Sequence, residues 1–214
     1  MTISVVIPTC DRPEFLPETL ESVFGQTRKP DEVVVVNNGP AEAQLPAEFS
    51  NWIRVLDIIP YAGACQARNF GASTVSGDLI AFIDDDDIWA DDYLANVEAA
   101  FAADDVACTV SRLDTLRDGK IEPWKCADGL MTKANLMTFN PGITGSNVVI
   151  SKEAFFAVRG YNPQLRTGED KSLILELLRS GRTVATLPKN QVCIRDHGGV
   201  RLSNHAKMAD GVND

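Results

Sequence analysis

The stretch Ile80-Ala81-Phe82-Ile83-Asp84-Asp85-Asp86-Asp87 places four carboxylates directly after four apolar residues. The apolar half is rich in β-branched and aromatic side chains, which predicts a short buried strand. Like charges this close together repel one another and resist burial, so a compensating group is expected. A divalent cation is the simplest one, because hard cations take oxygen ligands and ligands bind outside the carboxyl ends of strands in open α/β sheets. The alternatives are a solvated acidic turn and a cap for the helix that follows.

The chain on the amino-terminal side of this stretch alternates strands and helices. Buried strands are predicted at Ile3–Ile7, Val33–Val36, Ile53–Ile59 and Ile80–Ile83. Helices are predicted from Pro13, over Ala64–Thr74, and after a cap at Asp91 or Asp92. Alternation of this kind favours parallel strands joined by right-handed crossovers. Residues 1–103 therefore read as the nucleotide-binding half of an α/β protein.

The remainder of the chain is less regular. Strands are predicted at Val106–Leu113, Val148–Ile150 and Thr183–Leu187, and helices after Ser151 and over Lys171–Ser180. Residues 122–146 show no clear period, and the polar tail at 206–214 is predicted to be mobile. Because no linker or internal repeat is visible, we expect one domain over 1–205, with an acceptor half at 104–205.

Composition narrows the classes of partner. The chain has 214 residues and a net charge of −10, which argues against a nucleic-acid backbone as the main partner. No stretch approaches the ~20 apolar residues of a membrane span, and the N-terminus lacks the basic region of a signal peptide. The five cysteines are an odd number without CxxC spacing and are interpreted as reduced thiols. We expect a cytoplasmic protein; peripheral membrane association and the oligomeric state stay open.

Two further clusters could carry chemistry. Glu169 and Asp170 follow Gly168 at the start of a predicted helix. Their alternative role is that of first-turn acids opposing the helix dipole. His197 lies in Arg195-Asp196-His197-Gly198-Gly199, and a lone histidine is more often structural than a metal ligand.

Taken in order along the chain, these motifs resemble glycosyltransferase family 2. The motifs are Val5–Thr9, Val34–Gly39, Ala67–Gly71, Phe82–Asp87, Gly145–Asn147, Gly168–Asp170 and His197, so the resemblance runs from Ile3 to about Ser203. It implies the α/β A-type glycosyltransferase fold, with a mostly parallel Rossmann-like sheet, helices on both faces and a smaller irregular acceptor half. It also implies inverting transfer of a sugar from a nucleoside diphosphate sugar to a saccharide or other hydroxyl acceptor.

The resemblance assigns roles to individual residues. On the donor side they are Thr9 and Asp11 at the base and ribose, Asn38 at the nucleobase edge, Arg68 near phosphate, and Asp84 or Asp85 near the ribose. Asp86 and His197 match the groups that bind Mn²⁺ or Mg²⁺, Asp170 matches the catalytic base, and Glu169 lies beside it. Asn38 stands where the family usually has Asp; since an amide both donates and accepts, the nucleobase stays open. The fourth Asp leaves the register of the metal ligand open by one residue.

Two other functions stay open at this point. A sugar-1-phosphate nucleotidyltransferase could use a similar sheet and an Asp-bound metal, but Thr9-Cys10-Asp11-Arg12-Pro13 is not the Gly-rich loop expected there. A non-catalytic protein that binds sugar nucleotides is the other alternative. An assay of the products, pyrophosphate or nucleoside diphosphate, separates the three.

Overall fold

A computed structural model describes residues 1–103, 105–124, 131–165 and 167–196. The strands are β1 (Ile3–Thr9), β2 (Glu32–Asn37), β3 (Ile53–Asp57), β4 (Leu79–Phe82), β5 (Ile88–Trp89), β6 (Cys108–Arg117), β7 (Lys120–Pro123), β8 (Val148–Ser151) and β9 (Val184–Arg195). The helices are α1 (Leu16–Phe24), α2 (Ala64–Thr74), α3 (Tyr93–Ala103), α4 (Lys133–Thr138), α5 (Lys152–Ala157) and α6 (Glu169–Arg179).

All of these strands join one sheet, in the order β3-β2-β1-β4-β8-β6-β9-β5, and β7 pairs with β6. The first four strands in that order are parallel, as the alternating pattern predicted. The second half is mixed, because β8 is antiparallel to both β4 and β6, whereas β9 runs parallel to β6. The carboxyl ends of β1, β2 and β4 therefore meet at one edge, where the acidic run follows β4.

Helices cover both faces of the sheet, which confirms the predicted layering. Helices α1 and α3 pack on one face, through Leu20 and Val97 against β-strand side chains such as Val5. Helices α2, α5 and α6 pack on the other face, where Leu173 joins the cluster around Val6. Alternate residues of β1 and β2 enter opposite clusters, as the period of two in a strand requires.

Several element boundaries differ from the prediction in the first half. Helix α1 begins at Leu16 and not at Pro13, because Pro17 occupies its first turn while Pro13 lies in the preceding turn. Strand β3 ends at Asp57, after which Ile59 accepts a turn hydrogen bond from the amide of Ala62. The connection from β2 to β3 holds only a 3₁₀ turn at Ser50–Trp52 and no crossover α-helix.

In the second half of the chain the observed elements differ more from the predicted ones. Strand β9 continues to Arg195 because a bulge opposite Ser111–Leu113 takes up the irregular pairing around Pro188. Helix α6 begins at Glu169, since Gly168 forms its N-cap with a φ of 75°. The two-residue β5 and the single-turn α4 are too short to carry a sequence period and were not predicted. The expected tail at 206–214 lies outside the described residues.

Within the described ranges, none of the helices combines the length and the apolar character that crossing a membrane requires.

Candidate active site

The acidic run forms a turn at the carboxyl edge, closed by a hydrogen bond from the Asp87 amide to the Asp84 carbonyl at 3.2 Å. Its side chains alternate between two environments. The side chains of Asp84 and Asp86 are 29% and 11% exposed, whereas Asp85 is 0% exposed and Asp87 is buried. Asp84 is thus the most exposed member of the run, and Asp86 keeps a small exposed fraction.

Asp85 ties the acidic turn to the end of β1. Its carboxylate accepts a hydrogen bond from the Thr9 hydroxyl at 2.6 Å and pairs with an Arg12 nitrogen at 2.5 Å. Burial raises the pKa of Asp85 to about 7, although Arg12 and Thr9 both act to lower it. Thr9 and Asp85, both predicted to lie near the nucleotide, contact each other directly.

Asp87 is buried and is held by hydrogen bonds from two neighbouring residues. The Ser146 hydroxyl donates to one carboxylate oxygen at 2.5 Å, and the Arg195 amide donates to the other at 3.1 Å. Burial, together with Asp86 and Asp84, raises the pKa of Asp87. Because Asp87 is buried and held in this way, we leave it out of the candidate metal ligands, which are then within Asp84–Asp86.

Arg68 connects the acidic turn with the second acidic cluster. It is 3% exposed, and one of its nitrogens pairs with Asp84 at 2.5 Å. A second nitrogen lies 3.8 Å from Glu169 and 3.9 Å from Asp170. A Cβ on Gly145 would stand 2.1 Å from the guanidinium, so any larger residue there would require Arg68 to shift. Arg68 thus acts within the protein as a bridge between carboxylates, which leaves its predicted phosphate contact a prediction.

Glu169 and Asp170 lie in the first turn of helix α6, where the positive end of the helix dipole would favour their ionised forms. Burial outweighs that effect. It raises the pKa of Asp170 to about 7 and raises the pKa of Glu169, against the lowering effect of Arg68. One carboxylate oxygen of Asp170 is buried without a hydrogen-bond partner in the described part of the chain. A carboxyl with these properties is poised to take up a proton near neutral pH.

A cleft of 240 Å³ lies beside the acidic turn, at the ends of β1 and β2. Thr9, Asp11 and Arg12 line it, and the Tyr61 hydroxyl donates to Asp11 at 3.0 Å. Asn38 is buried at its back, and its side-chain oxygen accepts from the Gly63 amide at 3.3 Å. The structure thus brings the predicted donor-side residues to one edge, while base reading by Asn38 stays a prediction.

A larger depression of 670 Å³ lies at the opposite end of the sheet, lined by residues that include Met1, Asp78, Lys152 and Arg182. It contains none of the residues predicted to bind the donor, whereas Thr9 and Asp11 line the smaller cleft. Because ligands of open α/β sheets bind at the carboxyl ends of the strands, the smaller cleft is the candidate site.

The carboxylates of this edge suit a divalent cation that is bound partly by the protein and partly by the phosphates of a substrate. The described residues contain no group of three or more His, Cys, Asp or Glu side chains arranged to hold a metal by themselves. Mg²⁺ and ions like it are commonly bound by one or two carboxylates together with substrate phosphates and water. Asp86, which pairs with the cleft residue Arg12 at 2.6 Å, fits that arrangement, and Asp84 lies two residues before it. His197, the other predicted ligand, lies outside the described residues.

The sequence analysis missed two residues of this edge. Arg12 pairs with Asp85 and Asp86, and the Arg195 side chain donates to the Asp86 carbonyl at 3.1 Å. Arg12 could have been found as a cation that follows β1 at the edge where the acidic run follows β4. The sequence offers no indication of a role for Arg195 other than its closeness to His197.

Comparison with known proteins identifies the family and the fold of this chain. The sequence profile of glycosyl transferase family 2 matches residues 4–157. A Haemophilus influenzae protein named as an uncharacterized glycosyltransferase is 28% identical over 187 residues, which cover 83% of this chain and 62% of that protein. The Escherichia coli UDP-Gal:alpha-D-GlcNAc-diphosphoundecaprenol beta-1,3-galactosyltransferase is 35% identical over 83 residues, which cover 36% of this chain and 30% of that enzyme. The chain thus spans less than two thirds of either relative.

Solved structures share the fold at low sequence identity. Staphylococcus aureus TarS 1–349 in complex with UDP-GlcNAc superposes with a TM-score of 0.78 at 18% identity, covering 95% of this chain and 61% of TarS 1–349. GalNAc-T7 with UDP, GalNAc and Mn²⁺ superposes with a TM-score of 0.75 at 20% identity, covering 92% of this chain and 44% of that protein. These likenesses establish the A-type glycosyltransferase fold. Since the profile match covers most of the chain, this protein belongs to glycosyl transferase family 2.

Proposed function

We propose that this chain is a metal-dependent, inverting glycosyltransferase. It moves a sugar from a nucleoside diphosphate sugar to an acceptor hydroxyl, with Asp170 as the general base. Family membership supports sugar transfer, and one relative is named as a galactosyltransferase that uses UDP-Gal. Two proteins of the same fold have been crystallised with UDP or a UDP-sugar, one of them with Mn²⁺.

The observation that carries the proposal is the link through Arg68. Asp84 and Asp170 are 86 positions apart in sequence, yet both lie within 3.9 Å of one buried guanidinium. The proposed donor site and the proposed base are therefore held in one rigid unit. A protein that only bound sugar nucleotides would have no need for the second acidic pair at this position.

The donor side of the reaction follows from the cleft. Thr9, Asp11 and Asn38 lie where the nucleoside would bind, and the diphosphate would extend toward Asp86. A divalent cation on Asp86 would neutralise the charge that develops on the departing diphosphate. Hydrogen bonds from Thr9 to Asp85 and from Ser146 to Asp87 hold the backbone of the turn in place before the donor arrives.

The acceptor side follows from Asp170. The acceptor oxygen attacks the anomeric carbon on the face opposite the diphosphate, a new carbon–oxygen bond forms, and the bond to the diphosphate breaks with its electron pair. The acceptor proton passes to Asp170, whose pKa of about 7 suits proton uptake. We assign Glu169, beside Asp170, to orienting a hydroxyl of either substrate. One displacement gives inversion at the anomeric carbon.

The first test is donor binding by calorimetry, with UDP, CDP, GDP and ADP as probes, in Mn²⁺ and then with a chelator. We expect one nucleotide to bind in Mn²⁺ and to lose affinity with chelator, and Asp86→Asn to lose that dependence on metal. Asp118→Asn is the matched control, because Asp118 lies in the exposed β6–β7 turn at a φ of 50° that Asn accepts. Equal binding with metal and with chelator would contradict the metal assignment.

The second test is product analysis. The sugar forms of the nucleotide that binds are incubated with a panel of saccharide acceptors and Mn²⁺. Release of nucleoside diphosphate with formation of a glycoside of inverted anomeric configuration supports the proposal. Release of pyrophosphate from a nucleoside triphosphate and a sugar phosphate would instead identify a nucleotidyltransferase. Binding without turnover across the panel would favour the non-catalytic alternative.

A further inference from the structure

Arg12 occupies the side of the acidic turn that faces the cleft. Its two terminal nitrogens contact two carboxylates at once, Asp85 at 2.5 Å and Asp86 at 2.6 Å. Asp86 is the residue to which we assign the divalent cation. The guanidinium therefore already supplies positive charge to the carboxylate that a metal would use.

Arg12 differs from Arg68 in its freedom to move. Arg12 is carried by the loop between β1 and α1, and its side chain is 34% exposed on the wall of the cleft. Arg68 is enclosed by Gly145 and by the ring of Tyr161, 5.2 Å from its guanidinium carbon. A shift of Arg12 toward the cleft would break only contacts at its tip, whereas a shift of Arg68 would disturb the core.

The cleft gives Arg12 a second partner. A planar guanidinium pairs with phosphate as readily as with carboxylate, in both cases through parallel hydrogen bonds. A nucleoside diphosphate in this cleft would place its phosphates beside Arg12 and close to Asp86. Two cations on one carboxylate repel each other, so a metal on Asp86 and Arg12 in its present position oppose each other.

We propose that Arg12 is an internal counter-ion that competes with the divalent cation for Asp86 and transfers to the diphosphate of the donor. This inference rests on the proposed function, because it takes Asp86 as the metal ligand. The metal alone then binds weakly, since it must displace Arg12. The donor diphosphate removes Arg12 from the carboxylates, so the donor and the metal each increase the affinity of the other.

The test measures metal binding directly, by calorimetric titration of the full chain with Mn²⁺, first without nucleotide and then with saturating UDP. Arg12→Gln should bind Mn²⁺ alone ~10-fold more tightly than wild type, within the usual range of coupling between two sites. In wild type, UDP should increase Mn²⁺ affinity strongly, and in Arg12→Gln this increase should be smaller. Arg12→Lys keeps the charge but contacts one carboxylate at a time, so it should fall between the two.

A matched control separates local competition from net charge. Arg54→Gln removes the same charge from β3, where Arg54 pairs with Glu32, and should leave Mn²⁺ affinity near the wild-type value. If Arg12→Gln does not fold, as judged by thermal unfolding, the comparison of Arg12→Lys with wild type tests the same ordering. Equal Mn²⁺ affinity in wild type and the Arg12 variants, or an equal gain in Arg54→Gln, would overturn the inference.

The outcome is separable from that of the proposed function. If wild type transfers sugar with Mn²⁺ but the Arg12 variants bind the metal no more tightly, the function stands and the inference fails. If Arg12→Gln binds Mn²⁺ more tightly but the wild-type protein turns over no donor, the competition for Asp86 stands and the transferase proposal fails.

Discussion

Replacing Asp170 with Asn is expected to make the protein more stable and less active. The substitution preserves the shape of the side chain and removes its charge. In the native structure Asp170 lies in a buried pair with Glu169, 3.9 Å from the nearest Arg68 nitrogen. Removing a general base typically costs ~10²–10⁴-fold in rate, so turnover should fall by ~10²-fold or more.

The effect on stability follows from the raised pKa. Folding moves the pKa of Asp170 from 3.8 to about 7, so ionised Asp170 disfavours the folded state by at most ~4 kcal/mol. Because the folded-state pKa lies above the unfolded-state value, this cost is absent below about pH 4, grows as the pH rises and is complete above about pH 7. Asn should therefore stabilise the protein most at pH 8 and least near pH 4. For a chain of this size, the largest gain corresponds to a rise in Tm on the order of 10 °C.

The assay is thermal unfolding of wild type and Asp170→Asn in one buffer series from pH 4 to about pH 8, with donor binding measured alongside. Glu176→Gln is the matched control, since Glu176 lies on the same helix and pairs with Arg179 at the surface. We expect its stability difference from wild type to vary little with pH, because exposed ion pairs contribute ~0–1 kcal/mol.

A lower Tm for Asp170→Asn than for wild type at pH 8 would refute the reasoning. It would mean that ionised Asp170 stabilises the fold through Arg68 and that burial does not dominate its pKa. Unchanged turnover in the variant would refute the base assignment independently, and loss of activity in Glu169→Gln alone would move the base to the neighbouring residue.

Three other substitutions test the contacts that hold Arg68 and Asp87 in place and the predicted base contact of Asn38. Gly145→Ala places a methyl group 2.1 Å from Arg68 and should displace it, which would weaken donor binding and lower the Tm measured in the same unfolding assay. Ser146→Ala leaves the buried Asp87 without its hydroxyl donor and should cost ~1–3 kcal/mol in the free energy of unfolding, measured with urea. Asn38→Asp removes an amide donor and should change the ratio of calorimetric affinities for UDP and the other diphosphates; an unchanged ratio would show that residue 38 does not read the base.

The sequence predicted the parallel half of the fold well because its signals are local. Four consecutive valines at Val33–Val36 specify a strand buried on both faces, and the strand preceding Asp84 is bounded as clearly. The mixed half depends on pairings between distant segments. Strand β9 continues past Pro188 only because β6 offers an irregular register there, which no pattern within residues 184–195 reveals.

The candidate site shows the same difference between local features, which the sequence predicts, and long-range contacts, which it does not. The residue types and the edge on which they meet could be predicted, since carboxyl ends of neighbouring parallel strands must converge. The pairing of those residues could not. The family resemblance assigned Arg68 to phosphate. The sequence does not show that this arginine is buried, whereas the structure encloses it beside Gly145 and Tyr161. The pKa of Asp170 likewise depends on burial by segments far along the chain.

The arrangement of charge at this edge supports the proposed cation site. The carboxylates of Asp84–Asp87 and of Glu169 and Asp170 outnumber the arginines that pair with them in the described ranges, Arg12 and Arg68. The pKa values of Asp85, Asp87, Glu169 and Asp170 are raised first by burial and further by neighbouring carboxylates. Such a cluster costs stability in the empty protein, as functional sites commonly do. A divalent cation would offset that cost when it binds, so binding of metal and donor should stabilise the fold as well as complete the site.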